Sequence, residues 1–483
     1  MAFATVVDKV ENRTFDELNI GDTASISRTL TQKDIELFAI MSGDVNPAHV
    51  DEEFAKSDIF HKIIAHGMWG GALISTVLGT QLPGPGAIYL AQSLRFRRPV
   101  GLGDTVVVSV KVSAKDEEKH RVTLDCQAVN QHGEVVISGT AEVIAPMEKI
   151  SRERVPLPDV RLIEKGRHYR QLVDASQGLY PIVTAVVHPA EPTSLLAAFE
   201  AAEENLIIPV LVGPEQKIRA AAEKAQIDIS QFDKEYTEHS HQAAERAVAM
   251  ARERKVEALM KGSLPFDELM HFVDAGQGLR TGRRMSHVSD MEIPGFPRPL
   301  FITDTAVNVS PTVIDKRDIV QNAIDLAHAL GMPEPKVAIL SAQEIVTPRL
   351  PSSFDAAVLC KMADRGQITG GILDGPLGYD VAVSEAAAKS KKIVSPVAGK
   401  ADILVVQDLE AGTMLVKQLE YMSDAQSAGI VVGSRVPVIM STRTDHKMAR
   451  LGSSALALLL VRSEQAKRSS SSSPTEPTDF RDE

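Results

Sequence analysis

Cysteine is almost absent. Only Cys126 and Cys360 occur in 483 residues, far apart and in no C-x-x-C pair. A disulfide framework and a cysteine-rich zinc site are both unsupported, and a reducing cytoplasm is the simplest expectation. Each cysteine reads as a small buried apolar residue. Long apolar runs are missing too. The longest, Ala455–Val461, has seven residues, against the ~18–20 that a membrane span needs. No charged-then-apolar leader opens the chain, so neither an integral membrane protein nor a secreted one is expected. Basic residues are in deficit: 52 Lys and Arg stand against 64 Asp and Glu, a formal charge of −12. That balance suits nucleic-acid phosphates poorly.

Apolar residues make up 44% of the chain, enough for a real core. Cores seldom grow as one beyond ~250–300 residues, so several globular units are expected. Residues 1–150 read as an α+β unit. Val106, Val108, Val110 and Val112 alternate with Thr105, Ser109 and Lys111. Val122, Leu124, Cys126 and Ala128 repeat the pattern, as do Val135, Ile137, Ala141 and Val143. Period two marks antiparallel strands with one buried face. Gly67 to about Leu82 is apolar without a polar stripe and fits one buried helix clasped by the sheet.

Residues 151–165 hold two prolines and mixed charge and read as a linker. From Gly166 the rhythm changes to alternating strand and helix. Strands are expected at Ile182–Val187, Ile207–Val212, Ala258–Lys261, Pro299–Thr303, Lys336–Leu340, Thr369–Leu373, Ile403–Val406 and Val436–Met440. This is the signature of a mostly parallel sheet covered on both faces. Residues 166–468 exceed one such sheet, so two α/β lobes with a cleft are expected. Residues 469–483, a five-serine run followed by proline and acid, read as a disordered tail.

The segment FAIMSGDVNPAHVDEEFA, residues 38–55, packs Asp44, Asn46 and His49 around a rigid Asn-Pro turn. A carboxylate and an imidazole converging there can hold and deprotonate a water molecule. Turn chemistry alone is the other reading, with Asn46 as a cap. Ser42, Gly43, Asp44, Asn46, Pro47, His49 and Ala55 together resemble the signature of the MaoC-like (R)-specific enoyl-CoA hydratases, hotdog-fold proteins in which a sheet wraps one long helix. His66-Gly67-Met68, opening the apolar helix, extends the resemblance over residues 10–145. The resemblance implies that Asp44 and His49 activate the water that adds to a trans-2-enoyl thioester. It implies that the Gly67 amide stabilises the thioester oxygen, that Ser75 orients Asp44, and that Asn46 shapes the site. Arg95, Arg97 and Arg98 suit either CoA phosphates or a solvated strand end.

The second half resembles the phosphate acetyltransferase/butyryltransferase family. The resemblance rests on LMKGSLPFDEL (259–269), GLRTGRRMSHV (278–288), ITDTAVNVSPT (302–312), DRGQITGGILDGPLGYD (364–380), SPVAGKADILVVQDLEAGTMLVKQL (395–419) and PVIMSTRTD (437–445). It implies acyl transfer between acyl phosphate and CoA. Arg443 would stabilise the transferring group, Thr442 would donate a hydrogen bond, and Asp445 would act as base or orienting carboxylate; an N-cap role for Asp445 also stands. Arg280, Arg283 and Arg284 are candidates for phosphate or CoA contacts. Gln407 and Thr413 depart from the family's usual proline and asparagine. The fold expected is thus an α+β hotdog domain followed by a two-lobed α/β domain. CoA thioesters, acyl phosphate and phosphate are the expected ligands, with no bound cofactor, no metal, no nucleic acid and no membrane. Self-association is expected from the resemblance. An active hydratase fused to a non-catalytic acyl-CoA-binding or oligomerisation domain is the competing reading.

Overall fold

The computed structural model describes residues 9–160, 162–276, 278–440 and 446–471. The chain divides into two compact units, Met1–Leu162 and Ile163–Glu483. Among the described residues, no helix is long and apolar enough to cross a membrane.

In the first unit the valines dictate the outcome. Val106, Val108, Val110 and Val112 are all buried, as are Val122, Leu124, Cys126 and Ala128. Burying each of the valine and leucine side chains contributes about 1.5–3 kcal/mol. The strands order as Thr23–Thr29, Thr105–Asp116, Arg121–Asn130, Val135–Ile144 and Ile88–Phe96, every neighbour antiparallel. Helix Gly67–Thr80 lies against this sheet and buries Trp69, Ile74, Val77 and Leu78 in the same core. The alternation fails at one point. The register shifts by one residue beside Val129, so Val136 turns inward next to Ile137 while Val135 is only half-buried. A β-bulge of this kind re-aims a side chain and is invisible to a period-two pattern.

The linker begins later than expected. Ser151–Glu153 form a strand that pairs antiparallel with Lys9–Glu11, so these residues belong to the first unit. The far end differs as well. Helix Lys447–Ser471 runs three residues into the expected tail, and Ser469 Oγ donates to Gln465 O at 3.0 Å.

The second unit holds one sheet of eleven strands. One parallel half runs Asp233–Tyr236, Ile207–Gly213, Ile182–Val187, Ala258–Lys261, Val438–Met440. The other runs Leu300–Thr303, Ile403–Val405, Lys336–Leu340, Ile372–Leu377. Gln426–Val432 and Ser286–Glu292 join them through antiparallel pairings. The two parallel halves share one compact unit and one hydrophobic core. Helix Val313–Ala329 starts with a capping box between Thr312 and Asp315.

Ser286–Glu292 escapes sequence patterning because its buried residues are largely polar. Each finds a partner. Asn322 Nδ2 donates to Ser286 Oγ at 3.0 Å, His287 Nδ1 meets Thr305 Oγ1 at 2.7 Å, and Ser289 Oγ meets Thr305 Oγ1 at 2.9 Å. Burial pushes the His287 imidazole down to about 4, so it stays neutral there. Asp290 is fully buried and takes His168 Nε2 at 2.6 Å, docking helix Arg167–Ala175 on the sheet.

Burial alone would lower the pKa of His168, but the Asp290 charge and hydrogen bond outweigh it and hold the imidazole above its ordinary 6.5. A raised folded-state value stabilises fully below the unfolded value, and the stabilisation disappears as pH rises through the folded value. His168→Gln leaves a buried carboxylate short of its cation and is expected to cost about 3 kcal/mol near pH 6. The cost should shrink toward pH 9, as read by denaturant midpoints across that range. A cost independent of pH would contradict the ion pair.

Candidate functional site

Helix Gln32–Ser42 begins at a Thr31–Asp34 capping box and stops at Gly43, whose φ of 75° is the left-handed conformation that glycine favours. Asn46 then caps the short helix Pro47–Val50, its Oδ1 accepting from Ala48 N at 3.2 Å. Asp44 is left on the turn between them, exposed, and His49 sits on the short helix, half-buried. Asn46 therefore has the capping role that its sequence position allowed, and its own N–H donates to Asp44 Oδ1 at 3.2 Å.

His49 Nδ1 lies 2.9 Å from Ile64 O. A carbonyl can only accept, so Nδ1 carries the proton and the neutral ring keeps its lone pair at Nε2. His66 was quoted in a motif without a role. It is buried, and its Nε2 donates to Asp44 O at 3.0 Å. Its ring lies against that of His49, centroids 4.0 Å apart. Ligand atoms of Asp44, His49 and His66 all lie within 4.8 Å of one another. His66 is the residue that residue-type reasoning missed; the signal was a second histidine at the threshold of the apolar helix.

Gly67 is the first residue of helix Gly67–Thr80, so its amide has no acceptor within the helix. A Cβ added at Gly67 would lie 3.1 Å from Phe96 Cε1, so the backbone is closely walled. His49, His66 and Gly67 share a cavity of about 290 Å³ whose apolar lining includes Trp69, Val106, Val136 and Ile137. Arg97 and Arg98 line the same cavity. The helix amide, a bare imidazole nitrogen and an apolar recess thus meet at one place. Ser75 does not join them. It is exposed on the helix, and among the described residues no hydrogen bond links it to Asp44. The buried face of the helix is set by Trp69, Ile74, Val77 and Leu78, and the helical period turns Ser75 away from it.

In the second unit, neighbouring parallel strands Ile182–Val187, Ala258–Lys261 and Val438–Met440 end together. Carboxyl ends of parallel strands are where α/β proteins hold ligands. Ser263 Oγ ties the first two ends, donating to His188 O at 3.0 Å and accepting from Ala190 N at 2.9 Å. His188 was not singled out in the sequence. Both its ring nitrogens are buried without a hydrogen-bond partner among the described residues. Burial, then the Lys217 charge, lower its pKa, which keeps the ring neutral.

Comparisons with known proteins agree with both halves. Residues 245–458 match the family model "Phosphate acetyl/butaryl transferase" and residues 20–132 match "MaoC like domain". The phosphate acetyltransferase of Rhizobium meliloti is 54% identical over 292 residues, 60% of this chain and 92% of that protein. The chain belongs to the phosphate acetyl/butaryl transferase family, with a MaoC-like domain ahead of it. A branched-chain phosphotransacylase from Enterococcus faecalis V583 is 27% identical with a TM-score of 0.52, covering 58% of this chain and 99% of that one. R-Hydratase PhaJ1 from Pseudomonas aeruginosa is 44% identical with a TM-score of 0.31, covering 32% of this chain and 99% of that one.

Thr442, Arg443 and Asp445 lie outside the described residues. Arg280, Arg283 and Arg284 lie on the segment that enters the amino end of Ser286–Glu292. All three are engaged. Arg280 forms a two-pronged pair with Asp274 at 2.8 and 2.7 Å, Arg283 pairs with Asp325, and Arg284 Nε donates to Asn308 Oδ1 at 2.6 Å. Thr413 turns its hydroxyl to Thr305 O at 3.0 Å, and Gln407 bonds Leu340 O.

Replacing His66 by Phe keeps a ring against His49 but removes the bond to Asp44 O. The turn should loosen, with amide exchange at Asp44 and Asn46 rising about 10-fold, since one net hydrogen bond contributes about 1 kcal/mol or more. Unchanged exchange would show that His66 does not hold the turn.

Proposed function

We propose that the MaoC-like domain hydrates trans-2-enoyl-CoA to (R)-3-hydroxyacyl-CoA and that the transferase domain moves an acetyl or butyryl group reversibly between acyl phosphate and CoA. The bare Nε2 of His49, on a ring clustered with Asp44 and His66 whose ligand atoms lie within 4.8 Å of one another, carries the first half of this reading, and His49 shares its cavity with Gly67. Water sits between Asp44 and His49 and gives up a proton as its oxygen bonds Cβ. The π electrons move toward the thioester oxygen, where the Gly67 amide and the helix dipole meet the growing charge. The proton is returned to Cα, so water is added with nothing left over. The cavity of about 290 Å³ receives the acyl chain. Arg97 and Arg98 line the same cavity and are the guanidinium groups nearest to hand for the CoA phosphates, although Arg98 pairs with Glu134 at 3.4 Å and Arg97 Nε donates to Ser138 Oγ at 3.1 Å. Neither this step nor the next calls for a resident metal or cofactor.

Family membership supports the second half. The CoA thiol, with an ordinary pKa of about 8.5, must lose its proton to attack the acyl carbonyl. The C–S bond forms, the C–O bond to phosphate breaks, and phosphate leaves. Arg443 stabilises the phosphate with its planar fork, Thr442 donates a hydrogen bond, and Asp445 orients or takes the thiol proton. The exposed edge strand Ile88–Phe96, with Ile88, Leu90 and Phe96 uncovered, supports pairing with a second copy of the chain. Two free thiols agree with a cytoplasmic setting.

Crotonyl-CoA hydration should fall about 100- to 10,000-fold in Asp44→Asn, with unchanged folding by circular dichroism and unchanged acyl transfer. Full hydratase activity in that variant would sink the first assignment. Phosphorolysis of acetyl-CoA or butyryl-CoA should be lost in Arg443→Ala while hydration persists. A wild-type chain inactive on every acyl-CoA tried would leave the second domain as a binding or oligomerisation unit.

A further inference from the structure

The transferase domain contains a second large recess. It has a volume of about 1010 Å³ and is bounded by the 281–283 and 433–437 turns and the final helix. It opens at the amino ends of Ala258–Lys261 and Val438–Met440, not at their carboxyl ends. Nothing in the proposed reactions uses it.

Its electrostatics are uneven. Five arginines and three acids line it. Each acid is already answered: Glu257 takes Arg462 at 2.7 Å, Asp325 takes Arg283, and Glu464 takes Arg468 at 3.3 Å. Arg252, Arg254 and Arg435 have no acidic side-chain partner among the described residues. Three guanidinium groups therefore line one recess with no acidic side chain within ion-pair distance among the described residues, although the Arg252 charge reaches the neighbouring Glu253. Guanidinium groups bind phosphate oxygens in pairs, and several cations on one concave surface favour a ligand with more than one phosphate. Beside them lies an apolar wall that includes Val256, Val436, Pro437 and Leu460, which suits a ring.

The walls are built rather than loose. Thr281 Oγ1 donates to Gly433 O at 2.7 Å, and Asn322 Nδ2 donates to Arg284 O at 2.8 Å. Gly433 has a φ of 87°, and an added Cβ would sit 2.6 Å from Asn322 Nδ2 and 2.8 Å from Arg284 O. These bonds tie the 281 and 433 turns to one another and to the helix that carries Asn322, which limits the ordering cost of binding at that wall.

We propose that this recess is a binding site for a nucleotide carrying two or more phosphates, with Arg252, Arg254 and Arg435 as its phosphate contacts. The shared chemistry is a polyphosphate next to a base; a free nucleoside di- or triphosphate and the nucleotide half of CoA are its two sources.

Calorimetric titration of the full chain with ADP, ATP, CoA and inorganic phosphate tests this. The triple variant Arg252→Gln/Arg254→Gln/Arg435→Gln and the single variant Arg435→Gln serve as comparators. Saturable ADP or ATP binding should weaken at least 10-fold in the triple variant and several-fold in Arg435→Gln, and should weaken as salt is raised. The KM for CoA in acyl transfer should stay unchanged. Loss of CoA binding alone, with ADP and ATP bound by neither protein, would identify the CoA nucleotide as the occupant. Equal binding of ADP, ATP and CoA by wild type and triple variant would overturn the proposal. So would absence of saturable binding beyond that of inorganic phosphate. Because the transferase assay is read separately, an inactive transferase does not affect the outcome.

Discussion

The hydrogen bond between His49 Nδ1 and Ile64 O is the constraint on which the N-terminal site depends. It exists because of how residues 63–65 are held. Ile64 bridges Gly101 antiparallel, with Ala65 N donating to Val100 O at 2.8 Å and Leu102 N to Ile63 O at 3.3 Å. Those bonds face the loop after the edge strand and leave the Ile64 carbonyl turned the other way, toward His49. The same segment delivers His66 and then Gly67 as the helix starts. One short stretch of backbone thus sets the tautomer of His49, supports the Asp44 turn and positions the helix amide.

Much of this was legible in the sequence. Glycine after Ser42, proline after Asn46 and the apolar run from Gly67 each have a local physical meaning, and the turn, the cap and the buried helix follow. What escaped was non-local. Ser75 was expected beside Asp44 by resemblance, but the burial of Trp69, Ile74, Val77 and Leu78 decides the rotation of the helix and turns Ser75 to the outside. The bulge at Val136 is set by pairing with the neighbouring strand, which no single-strand pattern encodes.

The transferase domain repeats the lesson. Parallel strands such as Ile182–Val187, Ala258–Lys261 and Lys336–Leu340 read as apolar runs because both faces are covered. Ser286–Glu292 lies just as deep yet is not among the strands expected from the pattern. Its side chains are compensated by Asn322, Thr305 and His168, which come from distant segments. Buried polar residues are affordable only when such partners are supplied, and the sequence of one strand cannot show them. The arginines of 280–284 show the converse: their type suggested a phosphate site, but Asp274, Asp325 and Asn308 already hold them.

A net charge of −12 is compatible with the polyanionic ligands proposed, because recognition is local: a helix amide, a few guanidinium groups and an apolar recess can outweigh a distant excess of acid. Everything proposed for the N-terminal site nevertheless turns on the protonation of one ring. Nitrogen-15 NMR of the histidine side chains tests it directly. At a pH where His49 is neutral, its proton should reside on Nδ1, with Nε2 showing the shift of a bare nitrogen. A proton found on Nε2 of His49 would leave no base facing Asp44 and would contradict the account.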